Sequence, residues 1–330
     1  MTAKPKVAIC WLGGCGGCDE AVVDINEAIL PVASAIDLVM WPVALDFKYH
    51  HIERMENGEI ALSIINGNVR NSDQEEIAKL LRAKSEIVLA FGSCACFGGT
   101  PGIANLTTKE DIFQWVYHDA PTVVNPKGNI PEASTKVDGK ELTLPVFSEQ
   151  VSTLDQVITV DYYLPGCPPP ANLVSNAIMA VIAGKLPRKG STLAPHKALC
   201  DTCPRNSTKP ASINIKTFKR IHQVVADSTC FLAQGIICIG PATRSGCGES
   251  CININMPCRG CFGPVEGVKD SGAKFISALA PIIDTEDEEE MQKAVDSIGD
   301  LTGYSYRFSL PSSILRKKRF LQRLNGIEGE

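Results

Sequence analysis

The sequence predicts an α/β protein in which a doubly wound parallel sheet is followed by a smaller, irregular domain. Two observations lead to this prediction. Short apolar segments alternate with amphipathic segments over the first part of the chain, a pattern typical of parallel sheets. Further along, the regular segments become short, and glycine, proline and cysteine crowd together. We therefore expect two domains, at residues 1–187 and 188–330.

The first part contains five predicted strands, each an apolar run of the length that suits a buried strand. In chain order they are KVAICWL, IDLVMWPVAL, EIALSIINGNV, EIVLAFG and QVITVDYYL. The predicted helices between and after them are CDEAVVDINEAILPVASA, SDQEEIAKLLRAKS, TTKEDIFQWVYHDA and PPANLVSNAIMAVIAG. Ser72, with Glu75 further along, has the pattern of a capping box and predicts the N-cap of the second helix.

The later part of the chain contains fewer segments that predict a helix or a strand. The segment GAKFISALAPII predicts a helix, and the acidic run DTEDEEE (284–290) predicts the solvated start of another. The basic stretch RKKRF (316–320) predicts a solvated or partner-facing patch.

Bulk composition narrows the function classes. The chain has 330 residues, of which 44% are hydrophobic and 21% charged, so it can bury a sizeable core. A net charge of -5 argues against a general nucleic-acid binder. We expect no membrane anchor, because no apolar run reaches the length of a bilayer span. The N-terminus shows no signal-peptide pattern, so we expect a cytoplasmic location.

Fourteen cysteines are the outstanding feature of the composition. In a reducing compartment, many cysteines at short spacings indicate metal binding rather than disulfides. Two of them are predicted core residues: Cys10 lies inside the first strand, and Cys96 alternates with Cys94 on a segment expected to be extended.

Four cysteines follow the ends of predicted strands. Cys15 and Cys18 come after the first strand, Cys94 after EIVLAFG, and Cys167 after QVITVDYYL. Ligands of doubly wound sheets gather beyond the carboxyl ends of the strands. If these three ends share one edge, four thiolates converge, which suits a tetrahedral zinc or a cubane iron–sulfur cluster.

The loop WLGGCGGCDE has the strand–glycine–helix layout of a phosphate-binding loop, but its residues argue against one. It lacks the GK[ST] ending of a P-loop, and Asp19 stands where the third glycine of GxGxxG belongs. Its glycines would instead let the backbone approach a cluster closely. These are Gly13, Gly14, Gly16 and Gly17.

Eight further cysteines lie in the second predicted domain and suggest two more four-thiolate sites. They are Cys200, Cys203, Cys230, Cys238, Cys247, Cys251, Cys258 and Cys261. Chain order suggests that the first four form one site and the last four another, but interleaved ligation is an alternative. A zinc-stabilised interaction module is the other open interpretation. Three sets of four favour iron–sulfur clusters, because a row of clusters forms an electron path. His196 is expected to be a surface group rather than a ligand.

Several motifs together resemble the small, electron-transfer subunit of nickel–iron hydrogenases over nearly the whole chain. They are CGGC with Glu20 two residues on, GSCACFGG, LPGCPPP, and the run CFLAQGIICIGPATRSGCGESC followed by PCRGCFGP. Within that family the chain is most similar to the small subunit of the cytosolic methyl-viologen-reducing hydrogenase of methanogens. WLGGC, the CPR of the second CxxC and PCRGCFGP carry this closer likeness.

The resemblance implies a flavodoxin-like first domain and three [4Fe-4S] clusters. The proximal cluster would be held by Cys15, Cys18, Cys94 and Cys167, and the distal one by Cys200, Cys203, Cys230 and Cys238. Many relatives have a histidine where Cys200 stands. Cys247, Cys258 and Cys261 match the three ligands of a medial [3Fe-4S] cluster in many relatives, and Cys251 adds a fourth thiolate.

The resemblance also implies partners. The nickel–iron centre would lie on a large subunit, and an iron–sulfur acceptor subunit would lead towards heterodisulfide reductase. Glu20 is a candidate proton relay at the interface with the large subunit; the alternative is a carboxylate stabilised by the helix dipole. Other open interpretations are a deazaflavin- or NAD(P)-reducing hydrogenase and the one-cluster subunit of respiratory complex I.

Overall fold

A computed structural model describes residues 4–224, 227–283 and 285–315. The strands in these ranges are β1 (Lys6–Trp11), β2 (Asp37–Met40), β3 (Ile60–Asn66), β4 (Val69–Asn71), β5 (Ser85–Phe91), β6 (Ser134–Val137), β7 (Lys140–Thr143), β8 (Phe147–Ser152) and β9 (Tyr162–Leu164). Five strands form a parallel sheet in the order β2-β1-β3-β5-β9. This is the strand order of flavodoxin-like sheets, and it confirms the predicted fold class.

Helices cover both faces of the sheet. In the described ranges they are α1 (Gly17–Val23), α2 (Ile29–Ala35), α3 (Tyr49–Glu53), α4 (Ser72–Lys84), α5 (Gly92–Phe97), α6 (Lys109–Gln114), α7 (Ala171–Ile182), α8 (Leu199–Thr202), α9 (Ser250–Asn253), α10 (Ser271–Leu279), α11 (Glu288–Asp296) and α12 (Leu301–Tyr306). Helices α1, α2 and α7 pack on one face of the sheet, and α3, α4 and α5 pack on the other. Strand β1 is therefore buried on both sides, which explains its continuous apolar sequence.

Several predicted elements are shorter or more broken than expected. EIALSIINGNV divides between β3 and β4, and α6 covers only the middle of TTKEDIFQWVYHDA. The first predicted helix divides into α1 and α2, because Asn26 adopts φ 55° and Pro31 lies near the start of α2. Strand β2 ends before the turn that contains Pro42, and β9 contains only the last part of QVITVDYYL. The segment before β9 instead forms a short 3₁₀ turn at Leu154–Gln156.

The cap of α4 lies one residue earlier than predicted. Asn71, not Ser72, is extended at the N-cap, and its side chain accepts a hydrogen bond from the Gln74 N–H at 2.9 Å. The Gln74 side chain accepts a hydrogen bond from the Asn71 N–H in return, which completes the capping box. Ser72 is the first helical residue, and its hydroxyl accepts a hydrogen bond from the Val146 N–H at 3.0 Å.

The later part of the chain is irregular, as predicted, and has its own apolar cluster. The fully buried members of that cluster run from Leu199 to Tyr304, whereas those of the two sheet faces run from Val7 to Ile178. This distribution agrees with a division near residue 187, which stays a prediction.

Helix α10 and a short 3₁₀ turn occupy the predicted segment GAKFISALAPII. Helix α11 begins within the acidic run, with Asp287 as its N-cap. The basic stretch at 316–320 lies outside the described residues. No helix in the part of the chain that the structure describes has the length and apolarity to cross a membrane.

Candidate metal centres

The parallel register brings the carboxyl ends of four strands into one row. Trp11 of β1 lies beside Asn66 of β3, and Asn66 lies beside Phe91 of β5. Phe91 in turn lies beside Leu164 of β9. The cysteines that follow β1, β5 and β9 therefore start from a common edge of the sheet, as the sequence predicts.

Each of these cysteines is positioned by a turn that leads into a helix. Gly16, with φ 85°, is the N-cap of α1, so that Cys15 precedes the helix and Cys18 lies in its first turn. Cys94 lies within α5, which starts directly after β5. Cys167 precedes α7, and its segment is tied to α5 because the Ser93 N–H donates to the Gly166 carbonyl at 2.7 Å.

The four thiols lie close enough to act on one another electrostatically. Burial is the main cause of the raised pKa of Cys18, and thiolate charge at Cys94, Cys167 and Cys15 raises it further. Burial first, and then Cys167 and Cys15, raise the pKa of Cys94 to about 12. Burial thus favours the protonated form of both thiols, and ligands bind a metal or cluster as thiolates, so binding would release protons.

Two glycines leave room for thiols of this group. A Cβ atom on Gly92 would overlap the Cys18 Sγ, and one on Gly99 would overlap the Cys94 Sγ. Both glycines have positive φ values, 83° and 64°, which also disfavour a side chain. Thiolates are ligands for iron–sulfur clusters and for zinc. Within the described ranges, no group of three or more His, Cys, Asp or Glu side chains is arranged to hold a single metal ion.

The loop glycines have a partly different role from the predicted one. A side chain on Gly13 would meet Asn68, whose carbonyl accepts the Gly13 N–H at 2.8 Å. Side chains on Gly14 and Gly16 would meet the Trp11 indole. Of the predicted loop glycines, Gly17 is the one whose added Cβ would approach a thiol, the Cys15 Sγ, at 3.6 Å.

A second group of cysteines lines one small cavity in the irregular part. Cys200 of α8, Cys203, Cys230 and Cys238 surround it together with apolar side chains. Burial raises the pKa of Cys200 to about 12, with further contributions from the charges of the other three thiols. Burial also raises the pKa of Cys238, to about 11, although backbone N–H groups of Gly240 and Cys258 lower it. The Cys258 N–H lies 3.3 Å from the Cys238 Sγ.

Two of the remaining four cysteines, Cys261 and Cys258, interact with the first two groups. Burial raises the pKa of Cys261 to about 12, and the charges of Cys247, Cys167 and Cys251 raise it further, in that order. The pKa of Cys258 is raised by burial and then by the charges of Cys238, Cys261 and Cys247. The third group thus adjoins the first through Cys261 and the second through Cys258.

The two predicted core cysteines are buried. Cys10 and Cys96 pack in the apolar cluster on the α4 face of the sheet. The extended conformation expected at Cys96 is wrong, because residues 92–97 form a helix. His196 is exposed, and its Nδ1 lies 2.6 Å from the Glu266 Oε2. Glu20 is exposed in the first turn of α1, beside the first group of cysteines.

Asp19 also belongs to this site. The sequence analysis identified it only as a departure from the GxGxxG pattern. It is 2% exposed, and its carboxylate accepts hydrogen bonds from the Trp41 Nε1–H and the Asn66 Nδ2–H, both at 2.9 Å. Asn66 is also the residue at which β1, β3 and β5 are aligned. Asp19 therefore joins the loop that carries Cys15 and Cys18 to the end of the sheet.

We expect Asp19→Ala to destabilise the protein, because it leaves two buried donors without an acceptor, at a cost of about 1–3 kcal/mol for each. The thermal unfolding midpoint of the purified protein, followed by circular dichroism, should fall by several degrees. Glu20→Ala, at the neighbouring exposed carboxylate, is the matched control and should leave the midpoint unchanged. Equal midpoints for the two variants would contradict this role for Asp19.

A known protein family matches the part of the chain that contains the first group of cysteines. The family model described as "NADH ubiquinone oxidoreductase, 20 Kd subunit" matches residues 15–181. The matched span includes Cys15, Cys18, Cys94 and Cys167, and it ends before the eight later cysteines.

Relatives match almost the entire chain. An iron–sulfur subunit of the F420-non-reducing hydrogenase of Archaeoglobus profundus is 41% identical, over 96% of this chain and 99% of the relative. A subunit of the F420-non-reducing hydrogenase of Methanothermobacter thermautotrophicus is 35% identical, over 96% of this chain and 98% of the relative. The later cysteines therefore lie within the extent of the match to these relatives.

A solved structure supports the fold. A chain of the recombinant [NiFeSe] hydrogenase from Desulfovibrio vulgaris Hildenborough is similar, with a TM-score of 0.51 over 86% of this chain and 99% of that chain. The identity is 16%, so this likeness concerns the fold alone. By its full-length relatives and its family match, the chain belongs to the family of F420-non-reducing hydrogenase iron–sulfur subunits, and it is part of an oxidoreductase.

Proposed function

We propose that this chain is the electron-transfer subunit of a nickel–iron hydrogenase and carries three [4Fe-4S] clusters. Electrons from the reaction H2 = 2 H⁺ + 2 e⁻ on a partner large subunit would pass through it to an acceptor subunit. The observation that carries the proposal is the convergence of Cys15, Cys18, Cys94 and Cys167 at one edge of the sheet, with Cys261 of another thiol group next to them.

Each thiol group would hold one cluster. The proximal ligands are Cys15, Cys18, Cys94 and Cys167; the medial ligands are Cys247, Cys251, Cys258 and Cys261; the distal ligands are Cys200, Cys203, Cys230 and Cys238. When bound, the clusters supply one-electron acceptors and donors in series. The order proximal, medial, distal is supported by the interactions between groups, since Cys261 interacts electrostatically with Cys167, and Cys258 with Cys238.

Backbone N–H groups would set the electronic environment of the ligands. The Cys238 Sγ accepts a hydrogen bond from the Cys258 N–H, and the Cys258 Sγ lies 3.4 Å from the Gly260 N–H. Such donors stabilise thiolate charge, and burial of the same sulfurs excludes water from them. Both effects would tune the reduction potential of the cluster that each group of cysteines holds.

The proximal edge is open to a partner. Cys15 and Cys167 are exposed, whereas Cys238 and Cys258 are buried within the irregular part. Two exposed thiols of this group, at one edge of the sheet, suit a cluster that receives electrons across a subunit interface. We therefore place the large subunit, with its nickel–iron centre, against this edge.

The kind of electron acceptor is inferred from the names of the relatives. The relatives are named "F420-non-reducing", which favours an iron–sulfur acceptor subunit over direct reduction of a deazaflavin. We propose that this acceptor leads towards heterodisulfide reductase and that the assembly works in the cytoplasm.

The metal content of the chain tests the proposal directly. Anaerobically purified protein should contain about twelve iron and twelve acid-labile sulfide per chain, because each cubane contributes four of each. Iron and sulfide assays together with plasma emission spectrometry for zinc give the measurement. Stoichiometric zinc with little iron would instead support a zinc-stabilised interaction module, and about four iron per chain would support a one-cluster subunit.

A substitution at Cys251 tests the medial site. Cys251→Ala should convert one cluster towards a [3Fe-4S] form, because one iron loses its protein ligand. The expected readout is an EPR signal in the oxidised protein and a loss of about one iron per chain. Cys96→Ala, at a buried cysteine outside the three groups, is the control and should change neither. An unchanged EPR spectrum and iron content in Cys251→Ala would show that Cys251 is not a ligand.

We also propose Glu20 as a proton relay at the interface with the large subunit, since it is exposed beside the proximal ligands. Glu20→Gln should slow H2/D⁺ exchange in the assembled enzyme about tenfold or more, the scale of a lost proton-transfer group. Asp24→Asn, at an exposed carboxylate beyond the end of the same helix, is the matched control. Unimpaired H2/D⁺ exchange in Glu20→Gln would contradict the relay. The Glu20 carboxylate would then only interact favourably with the helix dipole.

A further inference from the structure

A polar cleft of about 480 Å³, with no cysteine among its lining residues, lies where the end of the sheet domain meets the irregular part. One wall is the loop 188–192, which is fastened to the sheet edge because the Tyr163 N–H donates to Ser191 and the Leu193 N–H donates to Tyr163. The opposite wall is the segment 264–268, and Arg244 lies between the two walls. The residues that line the cleft thus come from parts of the chain that are far apart in sequence.

Arg244 is held in this cleft with unused hydrogen-bonding capacity. The residue is 5% exposed, and its Nη1 donates to the Pro195 carbonyl at 2.9 Å. Its backbone N–H donates to the Gly263 carbonyl at 3.0 Å, which fixes the position of the main chain. Its Nε is buried and has no hydrogen-bond partner among the described residues. A buried guanidinium charge that the chain does not fully pair favours an anion beside it.

The charges around the cleft do not balance. Lys189 pairs with Asp161, and His196 pairs with Glu266, each at 2.6 Å. Arg188 also lines the cleft and forms no ion pair within the part of the chain that the structure describes. Glu266 is the carboxylate that acts electrostatically on Arg244, but it is already engaged by His196. The cleft therefore keeps an excess of positive charge.

We propose that this cleft binds an oxyanion, either a phosphate group or a carboxylate, between the guanidinium groups of Arg244 and Arg188. Planar guanidinium donors match the paired oxygens of both ligands. Ser191 and Thr192 on the wall of the cleft add hydroxyl groups of the kind that phosphate and carboxylate accept from. Glu266 lies on the opposite wall and opposes binding by charge repulsion. This site requires neither bound clusters nor the function proposed above.

Inorganic phosphate is the probe for the test, used with the anaerobically purified full chain. Phosphate should raise the thermal unfolding midpoint saturably at constant ionic strength, because a ligand that binds only the folded state stabilises it. Sodium chloride at the same ionic strength is the reference. An equal rise with chloride would overturn the proposal, because it would show a general salt effect.

Two substitutions at exposed residues predict opposite changes in affinity. Arg188→Gln should weaken phosphate binding about tenfold, the scale of a lost charge-assisted hydrogen bond. Glu266→Gln should strengthen it, because a repelling charge is removed. Arg54→Gln, at an exposed arginine elsewhere on the chain, is the matched control and should bind phosphate like the wild type. Identical affinities for Arg188→Gln and the wild type would also overturn the proposal.

The source of the oxyanion follows from the same measurement on the assembled hydrogenase. If phosphate binds the isolated chain and the assembly equally, the ligand is a free phosphate compound. If the assembly no longer binds phosphate and Arg188→Gln weakens its association, the ligand is a carboxylate of a partner chain. Failure of phosphate to bind the isolated wild-type chain overturns both forms of the proposal, whatever its iron content.

Discussion

A buried carboxylate at the end of the sheet supports the arrangement of the first thiol group. Asp19 accepts hydrogen bonds from Trp41 and from Asn66, and Asn66 is the residue at which β1, β3 and β5 are aligned. The start of α1 is thereby attached to the edge where Cys94 and Cys167 also emerge. Because Asp19 follows Cys18 directly, a shift of this carboxylate would move the thiol with it. The position of Cys18 thus depends on buried hydrogen bonds between Asp19 and residues distant in sequence.

The irregular part of the chain is organised differently. Its regular elements are short, and its apolar cluster includes Cys238 and Cys258 among its fully buried members. These two thiols are therefore part of the core rather than additions to its surface. Burial raises the pKa of Cys200, Cys238 and Cys258, because it disfavours the thiolate form. We expect metal binding and folding to be coupled in this region. Its sheet and helix contacts are few, so metal–thiolate bonds would hold its segments together.

Predictions from local sequence succeeded where periodicity decides structure and failed where single residues do. The alternating apolar and amphipathic segments correctly indicated a doubly wound sheet, because burial on both faces requires continuous apolar strands. The predicted helix did not include the break between α1 and α2, although Asn26, which adopts φ 55°, and Pro31 are both residue types that interrupt helices. The N-cap of α4 was misplaced by one residue, because Asn71 and Ser72 are both suitable caps and the antiparallel partner β8 decides which of them is extended. The role of Asp19 was also missed, because Trp41 and Asn66 are far from it in sequence.

Residue types and spacings suffice to predict the family, the fold class and the set of cysteines at the ends of β1, β5 and β9, because these are local properties of the chain. The tertiary structure was needed to show which strand ends share an edge, that Gly92 and Gly99 leave room for the thiols, and that Cys261 and Cys258 interact with the other two groups. The physical reason is that thiols meet through sheet register and loop packing. Both are set by contacts between residues distant in sequence, and no spacing along the chain encodes them.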